Sequence, residues 1–356
     1  MTNPIGPGER LANGATPVPL MPGGAAPIEP WPGELLSLSA GDVYVRSTPE
    51  LPGAEPAMLV HGLGGSALNW TDLMGLLSQS AAGPPMVCDA PDLPGFGFSP
   101  PPADGDYSLA ARAAVVISLI EKRANGPVHL IGNSLGGAIS TRIAARRPDL
   151  VRTLTLISPA LPDLRPRPLP ARLAVVALPG VGRWVLGKMA TMTPEQRTDT
   201  SIGELYADPS RFLPQRRAEA IAEVTRRDRL SYSVDALLGS TRALVAEYTR
   251  PGSASLWQDA AKVTAPTLLI HGSHDRLVNP AMAGRAARTF RNCRAIVLPR
   301  IGHVAMMERP ELVAAEMRTF LRRALEQQAS GEAVPVRGSR RQGPAGGRSA
   351  LSPASP

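Results

Sequence analysis

Short apolar runs alternate with stretches of helical periodicity along the middle of the chain. The runs at residues 57–60, 128–131, 153–157 and 267–270 are each followed by Gly, Pro or polar residues. Segments with apolar residues three and four positions apart lie between the runs, as at residues 69–77. Buried parallel strands read as continuous apolar runs, so the pattern predicts an α/β fold with a mostly parallel sheet and helices on both faces.

The two ends of the chain differ from this alternating region. Residues 36–45 alternate between apolar and small or polar side chains around a turn at Gly41, which predicts a β-hairpin. Residues 1–33 and residues 328–356 carry frequent Pro and Gly without an apolar period. Because such segments bury too little apolar surface to offset the entropy of ordering, we expect a disordered leader and a disordered basic tail.

The alternation of strands and helices is interrupted between residues 160 and 259. Pro-rich turns come first, and helical segments follow at residues 216–227 and 233–248. An insertion after a strand end lies over the carboxyl edge of the sheet, where ligands bind. We therefore predict a core of residues 34–159 and 260–327 with a helical cap inserted at residues 160–259. An ordinary run of helices elsewhere on the surface is the alternative.

The chain has an excess of basic residues. The 38 Lys and Arg exceed the 30 Asp and Glu and give a formal net charge of +8. Part of the excess lies in the tail, the rest is mixed with acidic residues, and only 4% of residues are aromatic. No basic face interleaved with aromatic residues is present, so we predict no nucleic-acid partner. Association of the basic tail with an anionic membrane surface stays an alternative.

Other features of the sequence argue against a disulfide-bonded, metal-binding, secreted or membrane-spanning protein. Cys88 and Cys293 fall in predicted strands, where they serve as small apolar core residues, and no disulfide is indicated. Asp89 and Asp92 have no histidine nearby, which favours turn capping over a metal site. The start of the chain lacks a secretion signal, and Pro and Gly interrupt the apolar stretch at residues 173–186. We expect a cytoplasmic protein without a membrane-spanning segment.

The most informative motif is a Gly-x-Ser-x-Gly at residues 132–136. It follows the apolar run at residues 128–131 and precedes a helix-forming stretch at residues 138–147. A serine in a sharp turn between strand and helix sits near positive φ, and small neighbours at Gly132 and Gly136 let the two elements pack closely. The motif predicts a nucleophile elbow that exposes the Ser134 hydroxyl.

A glycine-rich loop at residues 61–65 follows an early strand. It lacks the Gly-Lys-Ser/Thr ending of a phosphate loop and the spacing of a dinucleotide site. The alternative role of such a loop is to supply one donor of an oxyanion hole. We therefore predict that the main-chain N–H groups of Leu63 and Leu135 form that hole. His61, at the strand end, is expected to brace the loop.

A serine nucleophile needs a general base and a carboxylate that orients the base. Asp275 and His303 each lie just past a predicted strand, in the chain order Ser, acid, His. The sequence thus predicts a catalytic triad of Ser134, Asp275 and His303. Asp163 is the alternative acid, whereas Glu308 is expected to brace the His303 loop.

Five motifs together resemble cap-bearing, single-domain bacterial members of the α/β-hydrolase fold superfamily, over residues 35–326. These motifs are the loop at residues 61–65, the turn-rich loop at residues 92–99, the elbow at residues 132–137, residues 271–275, and Gly302 with His303. The resemblance implies an eight-stranded sheet, an acyl-enzyme on Ser134 and no cofactor. Asn133 stands where His is frequent in the family, which weakens assignment to a subfamily.

The predicted function is that of a serine hydrolase cleaving a small, apolar carboxylic ester. The resemblance leaves two alternatives, a carbon–carbon bond hydrolase with the same triad and a non-catalytic ligand-binding member of the fold. Relatives that attack through an aspartate at the elbow, the epoxide hydrolases and haloalkane dehalogenases, are excluded by Ser134. The sequence leaves the oligomeric state open. The apolar residues that suggest a substrate pocket in the cap are Leu173, Val175, Val176, Leu178, Val181, Trp184 and Leu186.

Overall fold

A computed structural model of the protein describes residues 28–79, 84–163, 174–250, 252 and 255–330, with side chains as far as residue 326. Most of the predicted tail and most of the predicted leader lie outside these residues. Residues 328–330, which the sequence assigned to the tail, are the end of the last helix, so the tail prediction is wrong for them. Residues 28–33, which the sequence assigned to the leader, are instead packed, because Trp31 Nε1 donates a hydrogen bond of 3.0 Å to the Thr71 carbonyl. The leader prediction is wrong for this short stretch.

The described residues form one eight-stranded sheet, in the order β1-β2-β4-β3-β5-β6-β7-β8. The hairpin of β1 and β2 is antiparallel, as is the pairing of β2 with β4, and all other neighbours are parallel. This confirms the predicted hairpin and the mostly parallel sheet. The strands are β1 Gly33–Leu38, β2 Gly41–Ser47, β3 Glu55–Val60, β4 Met86–Pro91, β5 Val128–Asn133, β6 Val151–Ile157, β7 Thr267–Gly272 and β8 Cys293–Leu298.

Helices cover both faces of the sheet. Val116 and Ile139 belong to the hydrophobic core on one face, and Met74 and Met317 belong to the core on the other. None of the described helices combines the length and the apolar composition needed to cross a bilayer. The helices are α1 Thr71–Leu77, α2 Leu109–Arg123, α3 Leu135–Arg146, α4 Val181–Met189, α5 Pro194–Leu205, α6 Pro214–Asp228, α7 Ser233–Thr249, α8 Leu256–Lys262, α9 Met282–Thr289, α10 Ala305–Glu308 and α11 Pro310–Ser330.

The burial of each element follows its sequence pattern. All six residues of β5 are buried, as expected for a central strand covered on both faces. The edge strand β1 has no buried residue. At the start of α2, the Ser108 hydroxyl accepts a hydrogen bond of 3.1 Å from the Ala111 N–H, which confirms the predicted helix cap.

Five of these helices, α4 to α8, lie between β6 and β7 in the chain, and the first four, α4 to α7, are called the cap helices below. The predicted end of the insertion at residue 259 falls inside α8. Leu256 and Ala260 of α8 belong to the same hydrophobic core as Ile139 of α3, so α8 is part of the core layer. The boundary was misplaced because a short amphipathic helix has the same pattern in either layer.

The predicted apolar pocket wall at the start of the cap is not observed. Val175 is 50% exposed, Leu178 is 52% exposed and Trp184 is 65% exposed, so these three side chains face solvent. Leu173 lies outside the described residues. The interpretation of this stretch as a substrate pocket is therefore wrong for these three residues, whereas Val176, Val181 and Leu186 are half-buried.

A buried ion-pair network ties the last cap helix to the core. Arg142 of α3 donates two hydrogen bonds, of 2.9 and 2.8 Å, to the Glu247 carboxylate of α7. Its Nε donates a third, of 3.0 Å, to Asp259 of α8. Because removing one partner of a buried ion pair costs about 3–5 kcal/mol, the network holds α7 against the helix that begins at the elbow.

Candidate active site

The backbone at Ser134 is held in a strained turn between β5 and α3. Ser134 has φ of 52° and ψ of −116°, a conformation that costs of order 1–3 kcal/mol for a residue other than glycine. Its N–H donates to the Ile157 carbonyl at 3.1 Å, and its carbonyl accepts from the N–H groups of Ala138 at 3.1 Å and Ala160 at 2.9 Å. These three hydrogen bonds maintain the turn and leave the half-buried side chain to project from the sheet edge.

Two glycines allow the strand and the helix to approach each other at this turn. A Cβ atom on Gly132 would lie 2.5 Å from the Gly136 carbonyl oxygen, and one on Gly136 would lie 2.0 Å from the Val60 carbonyl oxygen. Both distances are too short for non-bonded atoms, and the obstructing atoms are backbone. The spacing of the motif is therefore a steric requirement of the turn.

The two segments expected to form an oxyanion hole both adjoin Ser134. Leu135 is the first residue of α3, so its N–H lies at the positive end of the helix dipole. In the loop after β3, a Cβ on Gly62 would lie 3.2 Å from Ser134 Cβ. Leu63 follows Gly62 directly and is half-buried. The loop that carries the Leu63 N–H thus packs against the serine itself.

His61 connects this loop to the turn-rich loop after β4. Its Nδ1 lies 2.7 Å from the Gly62 carbonyl oxygen, and its Nε2 lies 2.9 Å from the Leu93 N–H nitrogen. A carbonyl only accepts and an amide only donates, so Nδ1 carries the proton and Nε2 accepts. Burial lowers the pKa of His61 to about 4, which keeps the ring neutral. Both ring nitrogens are therefore committed to bracing the loop.

Turn capping was predicted for Asp89 and Asp92, and it is observed for Asp92, whereas Asp89 lies within β4 and is paired with Arg123. Asp92 accepts hydrogen bonds from the Ala67 N–H at 2.7 Å and from the Phe98 N–H at 2.8 Å. Burial raises the pKa of Asp92 to about 6, although these hydrogen bonds act in the opposite direction. Asp89 lies within 3.1 Å of the Arg123 guanidinium. In the described ranges no three metal-binding side chains are grouped to hold an ion.

Asp275 and His303 meet at the carboxyl ends of β7 and β8. His303 Nδ1 lies 2.9 Å from Asp275 Oδ2, while Asp275 Oδ1 accepts from the N–H groups of Leu277 at 2.8 Å and Val278 at 2.9 Å. Burial alone would raise the pKa of Asp275. The nearby His303, together with hydrogen bonds from His303 and from the Val278 N–H, outweighs burial and lowers the pKa to about 2.

The loop that carries His303 also contacts the elbow. Asn133 Nδ2, one residue before Ser134, donates to the His303 carbonyl at 3.3 Å and to the Ile157 carbonyl at 3.0 Å. Glu308 accepts a hydrogen bond of 2.7 Å from the Gly302 N–H, which agrees with its expected bracing of this loop. Ser134, Asp275 and His303 therefore all lie at one edge of the sheet.

Two residues at this edge carried no recognised signal in the sequence. Ser158, directly after β6, is fully buried, has φ of 45° and lies close enough to Asp275 to lower the pKa of that carboxyl. Arg227, on cap helix α6, donates a hydrogen bond of 3.1 Å to the Gly64 carbonyl in the glycine-rich loop. The only sequence feature of Ser158 that pointed to a role is its position next to a strand end. Its proximity to Asp275 was not predictable, because the two residues are more than a hundred positions apart in the chain.

The buried histidines predict how stability depends on pH. Burial lowers the pKa of both His61 and His271 from 6.5 to about 4. As the pH falls below 6.5, each histidine becomes protonated in the unfolded chain while it stays neutral in the folded protein. Its contribution to the free energy of unfolding, which is complete above that pH, is therefore lost progressively toward pH 4. We expect each histidine to lower the free energy of unfolding by about 2 kcal/mol between pH 7 and pH 5, measured by urea denaturation.

The variant His271→Gln separates the contribution of His271 to the pH dependence of stability from the contribution of Asp92. The raised pKa of Asp92 acts in the opposite direction, because its folded form takes up a proton as the pH falls. His271→Gln removes one titrating group and leaves Asp92 unchanged. The variant should lose about 2 kcal/mol less than the original protein over the same pH interval. Equal losses in the two proteins would contradict the assignment to His271.

The fold and this sheet edge define the class of protein as a hydrolase with an α/β core. The sequence pattern of the alpha/beta hydrolase family matches residues 57–316. The chain belongs to this family, and it is an enzyme, a hydrolase of this fold.

Relatives within the family have different substrates. Lipase 1 of Psychrobacter immobilis is 26% identical over 297 residues, which cover 80% of this chain and 82% of the lipase. The 2-hydroxymuconate semialdehyde hydrolase of Pseudomonas putida is 26% identical over 278 residues, covering 76% of this chain and 88% of that protein. A solved structure, a thermophilic esterase from Thermogutta terrifontis, superimposes with a TM-score of 0.62 at 22% identity, covering 82% of this chain and 99% of the esterase.

Proposed function

We propose that the protein is a serine hydrolase that cleaves small carboxylic esters through Ser134, His303 and Asp275. The observation that carries the proposal is the strained serine at the elbow on the same sheet edge as the hydrogen-bonded Asp275 and His303. A positive φ at a non-glycine residue costs free energy, and such strain is found at functional sites. The hydrogen bond between carboxylate and imidazole supplies the remaining two parts of a triad.

The charge state of Asp275 determines how His303 would act. With its pKa at about 2, Asp275 is ionised at neutral pH and only accepts hydrogen bonds. It therefore holds the proton of neutral His303 on Nδ1, which leaves Nε2 free to accept a proton. The carboxylate also stabilises the imidazolium that forms during the reaction.

The reaction proceeds in two halves through an acyl-enzyme. Ser134 Oγ attacks the ester carbonyl carbon, His303 Nε2 takes the serine proton, and the N–H groups of Leu63 and Leu135 donate to the oxyanion. The carbon–oxygen bond to the alcohol breaks as His303 returns the proton to the leaving oxygen. A water molecule then attacks the acyl carbon and gives a proton to His303. The bond between the acyl carbon and Ser134 Oγ breaks as His303 passes that proton to Oγ, which releases the carboxylic acid and regenerates Ser134. The step consumes water only and needs no cofactor.

Similarity to a lipase supports an ester with an apolar acyl group as the substrate. One comparison favours a second candidate, because a hydrolase of 2-hydroxymuconate semialdehyde is equally similar in sequence. In that alternative the same serine and histidine would act on a carbon–carbon bond next to a carbonyl group.

A substrate panel tests the proposal and its alternatives. We expect purified protein to hydrolyse p-nitrophenyl esters, with kcat/KM for the preferred acyl length at least about 10²-fold above that for 2-hydroxymuconate semialdehyde. A 10²-fold ratio of kcat/KM corresponds to a difference of about 3 kcal/mol between the activation free energies for the two substrates. The reverse order would favour carbon–carbon hydrolysis. Saturable ester binding without turnover, and without labelling by a fluorophosphonate, would favour a non-catalytic member of the fold.

A further inference from the structure

The loop that carries His303 is covered by a segment of the cap. This segment, residues 203–211, spans the end of α5 and the turn before α6 and is called the cap strap below. The His303 N–H donates a hydrogen bond of 2.7 Å to the Leu205 carbonyl. A Cβ on Gly302 would lie 2.2 Å from the same carbonyl oxygen, so the two backbones are in direct contact.

The side chain of Glu308 links the cap strap to the loop that carries His303. Its side chain is buried, and each carboxylate oxygen has two N–H partners. Oε2 accepts from the Gly302 N–H at 2.7 Å and from the Ala207 N–H at 3.1 Å. Oε1 accepts from the Asp208 N–H at 3.1 Å and from Arg211 Nη1 at 2.9 Å. One donor comes from the loop of His303, and three come from the cap strap.

The same segment also contacts the loop that carries Asp275. Arg276, the residue after Asp275, donates from Nη1 to the Gly203 carbonyl at 2.7 Å. Arg211 Nη1 donates to the Arg300 carbonyl at 3.1 Å, three residues before His303. The cap strap is thus hydrogen-bonded to both loops between which the hydrogen bond of His303 and Asp275 forms.

We propose that Glu308 is a positioning residue through which the cap strap holds His303 in register with Asp275 and Ser134. The inference rests on the proposed catalytic role of His303. The Gly302 N–H is one peptide unit from His303, so loss of its acceptor frees the backbone that sets the direction of the imidazole. On this view the cap helps to position the side chain of His303.

The chemistry of the contacts requires a carboxylate at position 308. Four N–H donors converge on two oxygens, and an ionised carboxylate accepts at both. In glutamine one oxygen becomes an NH2 group, which only donates. In either orientation that group would face two N–H donors, so two of the four hydrogen bonds would be lost.

Glu308→Gln, compared with the original protein, tests the proposal. We expect kcat for a p-nitrophenyl ester to fall by about 10²-fold, as for a displacement of about 1 Å at a reacting group, with KM changed less than two-fold. In proton NMR spectra, the downfield resonance of the His303 Nδ1 proton, assigned by its loss in Asp275→Asn, should broaden or shift. Glu311→Gln is the matched control, because Glu311 is also buried and is paired with Arg309 rather than with the cap strap.

The control variant should keep kcat and the downfield resonance unchanged. An unchanged kcat and resonance in Glu308→Gln would overturn the positioning role and leave the proposed function intact, provided Ser134→Ala still abolishes turnover. A rise in KM at constant kcat would also overturn it, since that result indicates substrate binding. If the original protein had no esterase activity, the proposed function would fail, and the resonance in Glu308→Gln would still decide whether Glu308 orients His303.

A second variant covers the case in which Glu308→Gln does not fold. Arg211→Met removes the hydrogen bonds of Nη1 to Glu308 and to the Arg300 carbonyl, and it retains Glu308 with its three main-chain partners. We expect kcat to fall at least about five-fold, the effect of losing one such hydrogen bond, without a change in KM. An unaltered kcat in folded Arg211→Met would contradict the proposal.

Discussion

Replacing Ser134 with alanine is expected to lower kcat/KM for p-nitrophenyl esters by about 10⁴ to 10⁶-fold, because it removes the hydroxyl on which the proposed acyl-enzyme forms. Labelling by a fluorophosphonate should be abolished in the same variant. The backbone strain at φ 52° is common to serine and alanine, so the midpoint of thermal unfolding should stay within a few degrees. Loss of turnover without loss of stability would assign the chemistry to the hydroxyl.

A serine away from the sheet edge provides the control for this experiment. Ser201 lies on cap helix α5 and is exposed. Ser201→Ala should retain both turnover and labelling. Equal labelling of Ser134→Ala and the original protein would contradict the nucleophile assignment.

Asp275→Asn is expected to reduce kcat by about 10⁴-fold at neutral pH, with the fold retained. The asparagine carbonyl takes the place of Oδ1, which accepts from the N–H groups of Leu277 and Val278. The NH2 group then faces His303 Nδ1, which must become an acceptor. The imidazole proton moves to Nε2, where it blocks the base. Steady-state kinetics together with histidine tautomer assignment by NMR measures both consequences.

An exposed aspartate on the cap tests whether the effect is specific. Asp235 lies on α7 and is paired with Arg183 at the surface, more than half exposed. Asp235→Asn should change kcat less than two-fold. If Asp275→Asn retained more than a tenth of the original kcat, another carboxylate would have to orient His303, and Asp163 would be the next to replace.

The elbow was predictable because its requirements are local. Gly132 and Gly136 flank Ser134 at fixed spacing, and the contacts that demand glycine at position 132 lie within the same turn and helix. The contacts at position 136 are with the end of β3 and are not local, but the spacing of the motif already marks that position. The hairpin and the Ser108 cap were predictable for the same reason. In each case a few consecutive residues determine the backbone conformation.

The environment of the cap was less accessible to sequence reasoning. An amphipathic pattern shows that a helix has an apolar face, but it does not say what covers that face. Trp184 and Leu178 were expected to line a pocket and instead face solvent. Leu256 was assigned to the cap and instead packs in the core.

The sequence by itself determined the order of strands and helices, the turn at Ser134 and the three side chains at strand ends. These follow from periodicity and from residue types that a given turn or reaction requires. Tertiary structure alone decided that Ser158 contacts Asp275 and that Glu308 joins the His303 loop to Ala207 and Asp208. In each case the partners are about a hundred residues apart in the chain. Ser158 and Asp275 meet because β6 and β7 are neighbours in the sheet, and Glu308 meets Ala207 and Asp208 because the cap packs on the sheet edge.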